Sequence, residues 1–538
     1  MTKALHKPAI KDLDLKALDA LIGRVTEAKE HDLALSADDC QLLLDALLTL
    51  VSMQERLGSK DITIAKLRKL TGIVASSETL TGQLTRSSNA KDQKKSRKNK
   101  PKTPKTKLKP EVKHHSLDGL SKGDECPECE TGKLYKYDPA TLLRITGQSP
   151  FVPEQHVMER LRCNTCGVYF TAAVPEAVLA DGERQQKYGY SARSLMGISK
   201  YYAGSPFYRQ GSLQDLLGVS ISASSIFDQT EHLSNHLFPV FKQLLRHAAN
   251  AKHYYMDDTT HRILDQKPVM KKQRKGKKER LRSGVYTSGV IATSLDDHPI
   301  ILFETNIGHA GEFIDSLLSQ RDESLPPPLI MSDALTSNRP TVVKSTQSLC
   351  NAHGRRQFYD VLSHFTDEVE EVLCLYGQIW VLDDQAAEQQ LTPTKRLAYH
   401  QKHSLPIMER IKRWGEAHLQ NETVEENSGL GEAIRYFNKH YKGLTRFCEI
   451  EGAQLDNNRM EAQLKLVVRD RKNAMFHKTL AGAAIGDVIT SMIATASQVN
   501  INVFEYFNWL QQAHKKVVLD PEYYLPWNYL KNHVESSF

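Results

Sequence analysis

Apolar positions recur at helical spacing from the start of the chain. Leu13, Leu15, Leu18, Leu21 and Ile22 form one set, Leu43, Leu44, Leu47 and Leu48 a second, and Ile64, Leu67 and Leu70 a third. Asp32, Gly58 and Gly72 interrupt the heptads, so residues 1–85 are expected to form a helical region in which a local hairpin and a dimerising zipper both fit. The pattern vanishes over 86–115. Lys91 to Lys113 is dense in lysine, carries Pro101, Pro104 and Pro110, and has too little apolar surface to fold alone.

Helical patterning returns over 181–250, with a sharp break at Gly218 between two segments that suggest a DNA-binding helix-turn-helix. From 253 the period switches to that of strands. His253 to Thr259, Tyr286 to Thr293 and Ile300 to Thr305 are rich in β-branched and aromatic residues. A helix near Glu312 to Gln320 follows, then the strand Leu329 to Ser332. Residues 366–445 read as helical, as do 446–512, and 513–538 form a tail whose Tyr523 to Asn528 run has no evident physical reading. Strand, strand, strand, helix, strand, helix is the order of an RNase H-like core, here with a helical insertion over 366–445 between its first part (251–365) and its last helix. The expected class is therefore multidomain α+β.

Composition adds few constraints. The chain has 538 residues, 40% hydrophobic and 25% charged, with a formal net charge of +7. That is ordinary for a globular protein, and the clusters of charge carry more than the total. No run of about 18 apolar residues stands out, and the first residues lack a signal-peptide stretch, so a cytoplasmic protein without a membrane span is expected.

Cysteine spacing does change the picture. Cys126 and Cys129 form one Cys-x-x-Cys knuckle within 116–180 and Cys163 and Cys166 another, separated by 33 residues. Four thiolates in two knuckles close a structural Zn2+ ribbon, whereas a disulfide pair is disfavoured in a reducing compartment.

Three acidic residues stand in separate contexts: Asp257 or Asp258 in a strand, Asp333 at a strand end, and Glu461 on a helix opened by Asp456-Asn457-Asn458. Strand side chains alternate faces, so only one of Asp257 and Asp258 can share a face with the others, and spacing alone does not choose. Two Mg2+ ions held by such carboxylates clamp the attacking and leaving oxygens of phosphoryl transfer. Basic residues flank each context. Lys271, Lys272, Arg274 and Lys275 lie in the Lys267 to Arg282 loop. Arg355 and Arg356 follow Cys350-x-x-His353, and Lys465, Arg471 and Lys472 follow Glu461. All are expected to contact DNA phosphates. Cys350 and His353 read more simply as helix-start packing than as metal ligands.

The block Asp456-Asn457-Asn458, Glu461, Arg471-Lys472-Asn473 and Phe476 resembles the transposases of the insertion-sequence 66 family. Asp257-Asp258-Thr259, Cys350-x-x-His353 with Arg355-Arg356-x-Phe358, Pro206 to Gln210, Lys66 to Leu70 and the paired knuckles match in the same order. The chain departs from the family pattern at Ala334-Leu335, Asn351 and Ala462. The resemblance implies a DDE-type enzyme with Asp257, Asp333 and Glu461 as catalytic ligands of two Mg2+ or Mn2+ ions. It implies cleavage at transposon terminal inverted repeats, strand transfer into target DNA and a homo-oligomer on DNA, and small accessory proteins encoded nearby are candidate partners whose requirement the sequence leaves open. A non-catalytic, sequence-specific DNA-binding regulator on the same scaffold is the alternative, and a nuclease without strand transfer a third reading.

Overall fold

The computed structural model describes residues 15–31, 34–43, 122–124, 133, 149–162, 164, 169–272 and 279–534. Cys126, Cys129, Cys163, Cys166, Arg274, Lys275, the side chain of Lys272 and the basic tether all lie outside the described residues. The chain divides into two compact units, 1–95 and 96–538. In the first, helix α1 (Leu15–Glu30) lies within the segment read as helical, and Arg24 pairs with Asp39 at 2.8 Å.

The second unit begins, within the described residues, with the antiparallel strands β1 (Arg160–Arg162) and β2 (Tyr169–Thr171). Four helices follow: α2 (Glu176–Ala180), α3 (Tyr190–Tyr201), α4 (Phe207–Leu216) and α5 (Ala223–Ala249). Gly218 adopts φ +83° in the turn between α4 and α5, a conformation that favours glycine. Leu233, Leu237, Val240 and Leu244 of α5 are fully buried in the main core. Its exposed N-terminal face carries Asp228 and Glu231, which repel phosphate.

The central sheet is built from β3 (His253–His261), β6 (Val285–Thr293), β7 (Pro299–Asn306), β8 (Leu329–Ser332) and β9 (Thr346–Leu349), in the order β7-β6-β3-β8-β9. The β3–β6 and β6–β7 pairs are antiparallel, while β3–β8 and β8–β9 are parallel. Within the segment read as a basic loop, β4 (Val269–Lys272) pairs with β5 (Glu279–Arg282). Helix α6 (Ala310–Leu318) joins β7 to β8.

Alternation along the strands divides the sheet into two faces. Tyr254, Met256, Val290, Leu302 and Ile330 enter the core shared with α5, α6 and the helices α13 (Leu480–Gln498) and α14 (Val503–Gln512). Tyr255, Ile291, Phe303 and Met331 face Met460 and Leu464 of α12 (Asn458–Ala474). Five helices intervene between β9 and α12: α7 (Asn351–Tyr359), α8 (Thr366–Glu388), α9 (Pro393–His403), α10 (Leu405–Gln420) and α11 (Gly429–Leu444). They bury a core of their own around Phe358, Tyr376 and Phe437.

Side chains spaced one helical turn apart on α13 cover the edge strand β7. Asp487 accepts from the Thr305 N–H at 2.7 Å, Ser491 from Phe303 at 2.9 Å and Thr495 from Ile301 at 3.0 Å. The i, i+4, i+8 spacing matches every second strand residue, so N–H groups that β6 does not reach are satisfied. Alternating these polar residues with apolar ones hid the character of α13 in the sequence. Its mean hydropathy of 1.4 makes it long and apolar enough to cross a membrane, but 61% of that stretch is buried inside the protein, as a core helix is.

The tail finds its role here too. Tyr524 and Leu525 are buried in the main core, the Tyr506 hydroxyl donates to the Tyr524 carbonyl at 2.7 Å, and Trp527 stacks on His298 at 4.6 Å.

Candidate active site

The parallel register of β3 and β8 pairs Tyr255 with Met331. Carried two residues on along the same face, it sets Asp257 beside Asp333. Asp258 points the other way. Its carboxylate accepts from His309 Nδ1 at 2.9 Å and the Ala310 N–H at 3.3 Å, capping α6. Alternation and this cap together assign Asp257 to the face of Asp333.

Asp333 follows the end of β8. Its Oδ1 accepts from the Leu335 N–H at 3.1 Å and from Asn338 Nδ2 at 2.9 Å, which fixes the carboxylate. Glu461 sits in the first turn of α12, where the helix dipole favours negative charge. Asp456 starts that helix by accepting from the Asn458 N–H at 3.0 Å and is itself held by Trp380 Nε1 at 3.0 Å. Asn457 ties the helix to the sheet: its Nδ2 donates to the Met256 carbonyl at 3.0 Å, and its N–H donates to Cys350 Sγ at 3.2 Å. Gly289, opposite Asp257 on β6, lets α12 approach, because a Cβ there would stand 2.3 Å from Met460 Cε and 3.3 Å from Leu464 Cδ2.

The charges interact. Burial, together with the negative charges of Asp333, Asp258 and Glu461, pushes the Asp257 carboxyl up to about 7, against the opposing hydrogen bond from the Asp258 N–H. Glu461 Oε1 is buried without a hydrogen-bond partner, as is Asn457 Oδ1. Crowded hard-oxygen donors with spare lone pairs fit Mg2+ or Mn2+. Tyr436 of α11 also borders the group: burial and the Asp333 charge push its hydroxyl up to about 12. Sequence reading missed Tyr436 and the two-way tether of Asn457. Neither belongs to a periodic pattern, although the Asp-Asn-Asn run did mark the helix start.

Residues 187–485 match the Transposase IS66 family. The chain belongs to the IS66 transposase family. Three curated proteins of Sinorhizobium fredii are also similar to it. y4jD is 27% identical over 194 residues, covering 35% of this chain and 37% of the relative. y4hP is 22% identical over 392 residues (68% and 65%), and y4qI is 22% identical over 349 residues (62% of each). All three carry the description uncharacterized, and the chain spans between 37% and 65% of their lengths.

Among the described residues, the basic side chains singled out in the sequence divide into two groups. Lys465, Lys472 and Arg356 are exposed. Three others have contacts within the protein. Arg355 is buried, with its guanidinium 5.5 Å over the Tyr359 ring. Arg471 braces α12 against β3, donating to Thr259 Oγ1 at 2.9 Å and to the Thr260 carbonyl. Lys271, joined by Arg282, pairs with Glu312 of α6. For Lys271 and Arg471 the partners lie far away in sequence, whereas Tyr359 is one helical turn from Arg355.

Proposed function

We propose that this IS66-family protein is a DDE-type DNA transposase, with Asp257, Asp333 and Glu461 as its catalytic carboxylates. The observation that carries this reading is their convergence from two parallel strands and one helix onto a single face. The sheet order β7-β6-β3-β8-β9 supports an RNase H-like core, and α8 to α11 would be its helical insertion. Magnesium or manganese bound by the three carboxylates would supply an activated water or 3′-hydroxyl nucleophile and neutralise charge on the phosphoryl group. The chain's part is positional. Asn338 and the Leu335 N–H orient Asp333, Asn457 fixes the entry of α12, and Gly289 sets its depth. Arg356, Lys465 and Lys472 offer phosphate contacts. Cys126, Cys129, Cys163 and Cys166 would close a structural Zn2+ ribbon, a reading supported by β1 and β2, which pair on either side of the second knuckle. Pairing two transposon ends requires at least two protomers.

The test is end cleavage and joining by the purified protein with Mg2+ or Mn2+, on DNA carrying the repeats that flank its gene. Cleavage at the repeat ends, abolished by Asp257→Asn, Asp333→Asn and Glu461→Gln with DNA binding retained, is the expected result. Tight binding without cleavage, unaffected by these substitutions, would mark the regulator instead. Cleavage without joining to a second DNA would mark a nuclease.

A further inference from the structure

Glu461 also belongs to a cluster of different chemistry. Cys350 precedes the first residue of α7 and His353 sits in its first turn, so the i, i+3 spacing turns both side chains to one side. Glu461 meets them from the first turn of α12. A sulfur of Cys350, a ring nitrogen of His353 and a carboxylate oxygen of Glu461 all lie within 4.8 Å of one another. His353 Nδ1 stands 3.8 Å from Glu461 Oε1, and neither atom has a hydrogen-bond partner although both are buried. The Cys350 sulfur accepts the Asn457 N–H at 3.2 Å, the kind of outer contact that stabilises a metal-bound thiolate.

We infer that Cys350, His353 and Glu461 form a thiophilic site that takes Zn2+, and that zinc held there withdraws Glu461 from the magnesium set. Sulfur, imidazole and carboxylate are the ligands zinc prefers, whereas Mg2+ takes oxygen alone. Tetrahedral zinc, with bonds of about 2.0–2.3 Å, needs ligand atoms roughly 3.5 Å apart. A contraction of about an ångström is within reach of the His353 and Glu461 rotamers. Three protein ligands leave the fourth position to water. On binding, the Cys350 S–H bond breaks, a zinc–sulfur bond forms, and the proton passes to solvent. Zinc binding rests only on the three side chains. Its effect on Glu461 rests on the proposed catalytic role of that residue.

Zinc content of the full-length protein, equilibrated at buffered micromolar free Zn2+, tests the site. The wild-type chain is expected to hold one zinc equivalent more than Cys350→Ser and His353→Gln. Replacement with Co2+ should give a thiolate charge-transfer band that disappears in Cys350→Ser. Because Cys350 is buried, the partly exposed His353→Gln variant carries the comparison if the serine variant does not fold. Equal zinc content in wild type and a folded His353→Gln variant overturns the site. A zinc difference with no loss of the Mg2+-induced rise in Tm overturns the withdrawal of Glu461. Zinc binding in a protein that cleaves no DNA under any metal upholds the site while removing the transposase reading.

Discussion

The side-chain amide of Asn457 donates to the carbonyl of Met256 at 3.0 Å, fastening the start of the Glu461 helix to the strand residue before Asp257. Both ends of the link are buried, so it acts without competition from water. Asn457→Ala should cost about 1–2 kcal/mol of stability, since the Met256 carbonyl loses its partner. It should also raise the Mg2+ concentration needed for cleavage. Urea unfolding and an Mg2+ titration of activity check the two effects separately.

Divalent cations should stabilise the folded chain. If Asp257, Asp333 and Glu461 hold Mg2+, tenfold excess over Kd adds about 1.4 kcal/mol. Thermal unfolding should show a higher Tm with Mg2+ for the wild type and no rise for Asp257→Asn. An equal rise in both would remove Asp257 from the metal set.

Gly289 sets the depth of α12. A valine there places methyl groups where Met460 Cε and Leu464 Cδ2 already lie, which moves the helix and Glu461 outward. Gly289→Val is expected to raise the half-saturating Mg2+ concentration about tenfold, with overpacking costing about 1–3 kcal/mol. An unchanged Mg2+ requirement would show that the helix does not need this close approach.

Asp487 gives the protein a pH dependence away from the acidic site. Burial pushes its carboxyl up to about 7 from the ordinary 3.8, against the hydrogen bonds from Thr305. The unfolded chain therefore releases this proton at lower pH than the folded one. Its contribution to stability is complete below about pH 4, falls as pH rises to about 7, and is level above that. Relative to Asp487→Asn, wild type should lose roughly 4 kcal/mol across that window, at most about 1.4 kcal/mol per pH unit. Chemical denaturation at four pH values between 4.5 and 8 measures the slope.

The Lys200–Asp470 pair joins α3 to α12 with both side chains buried. Lys200→Met should destabilise by about 3–5 kcal/mol, because Asp470 is left charged without its partner. Adding Asp470→Leu should recover most of the loss. Denaturant midpoints of the single and double variants decide whether the pair or the packing matters.

Local pattern made much of this protein legible. The strands around Tyr286 to Thr293 and Ile300 to Thr305, the break at Gly218 and the helices on either side of Glu461 follow from periodicity and backbone preference, which act over a few residues. The family resemblance drawn from Asp456 to Phe476 is matched by the family assignment over 187–485. Periodicity could not say whether Asp257 or Asp258 joins Asp333. The parallel register of β3 with β8 and the capping of α6 by Asp258 did. Nor could it tell a cation available to phosphate from one already paired. Glu312 for Lys271 and Thr259 for Arg471 are tens to hundreds of residues distant in sequence. Spacing sets the elements because hydrogen bonding and side-chain alternation are local. The site depended on tertiary structure because charge, burial and ligand geometry arise only where distant segments meet.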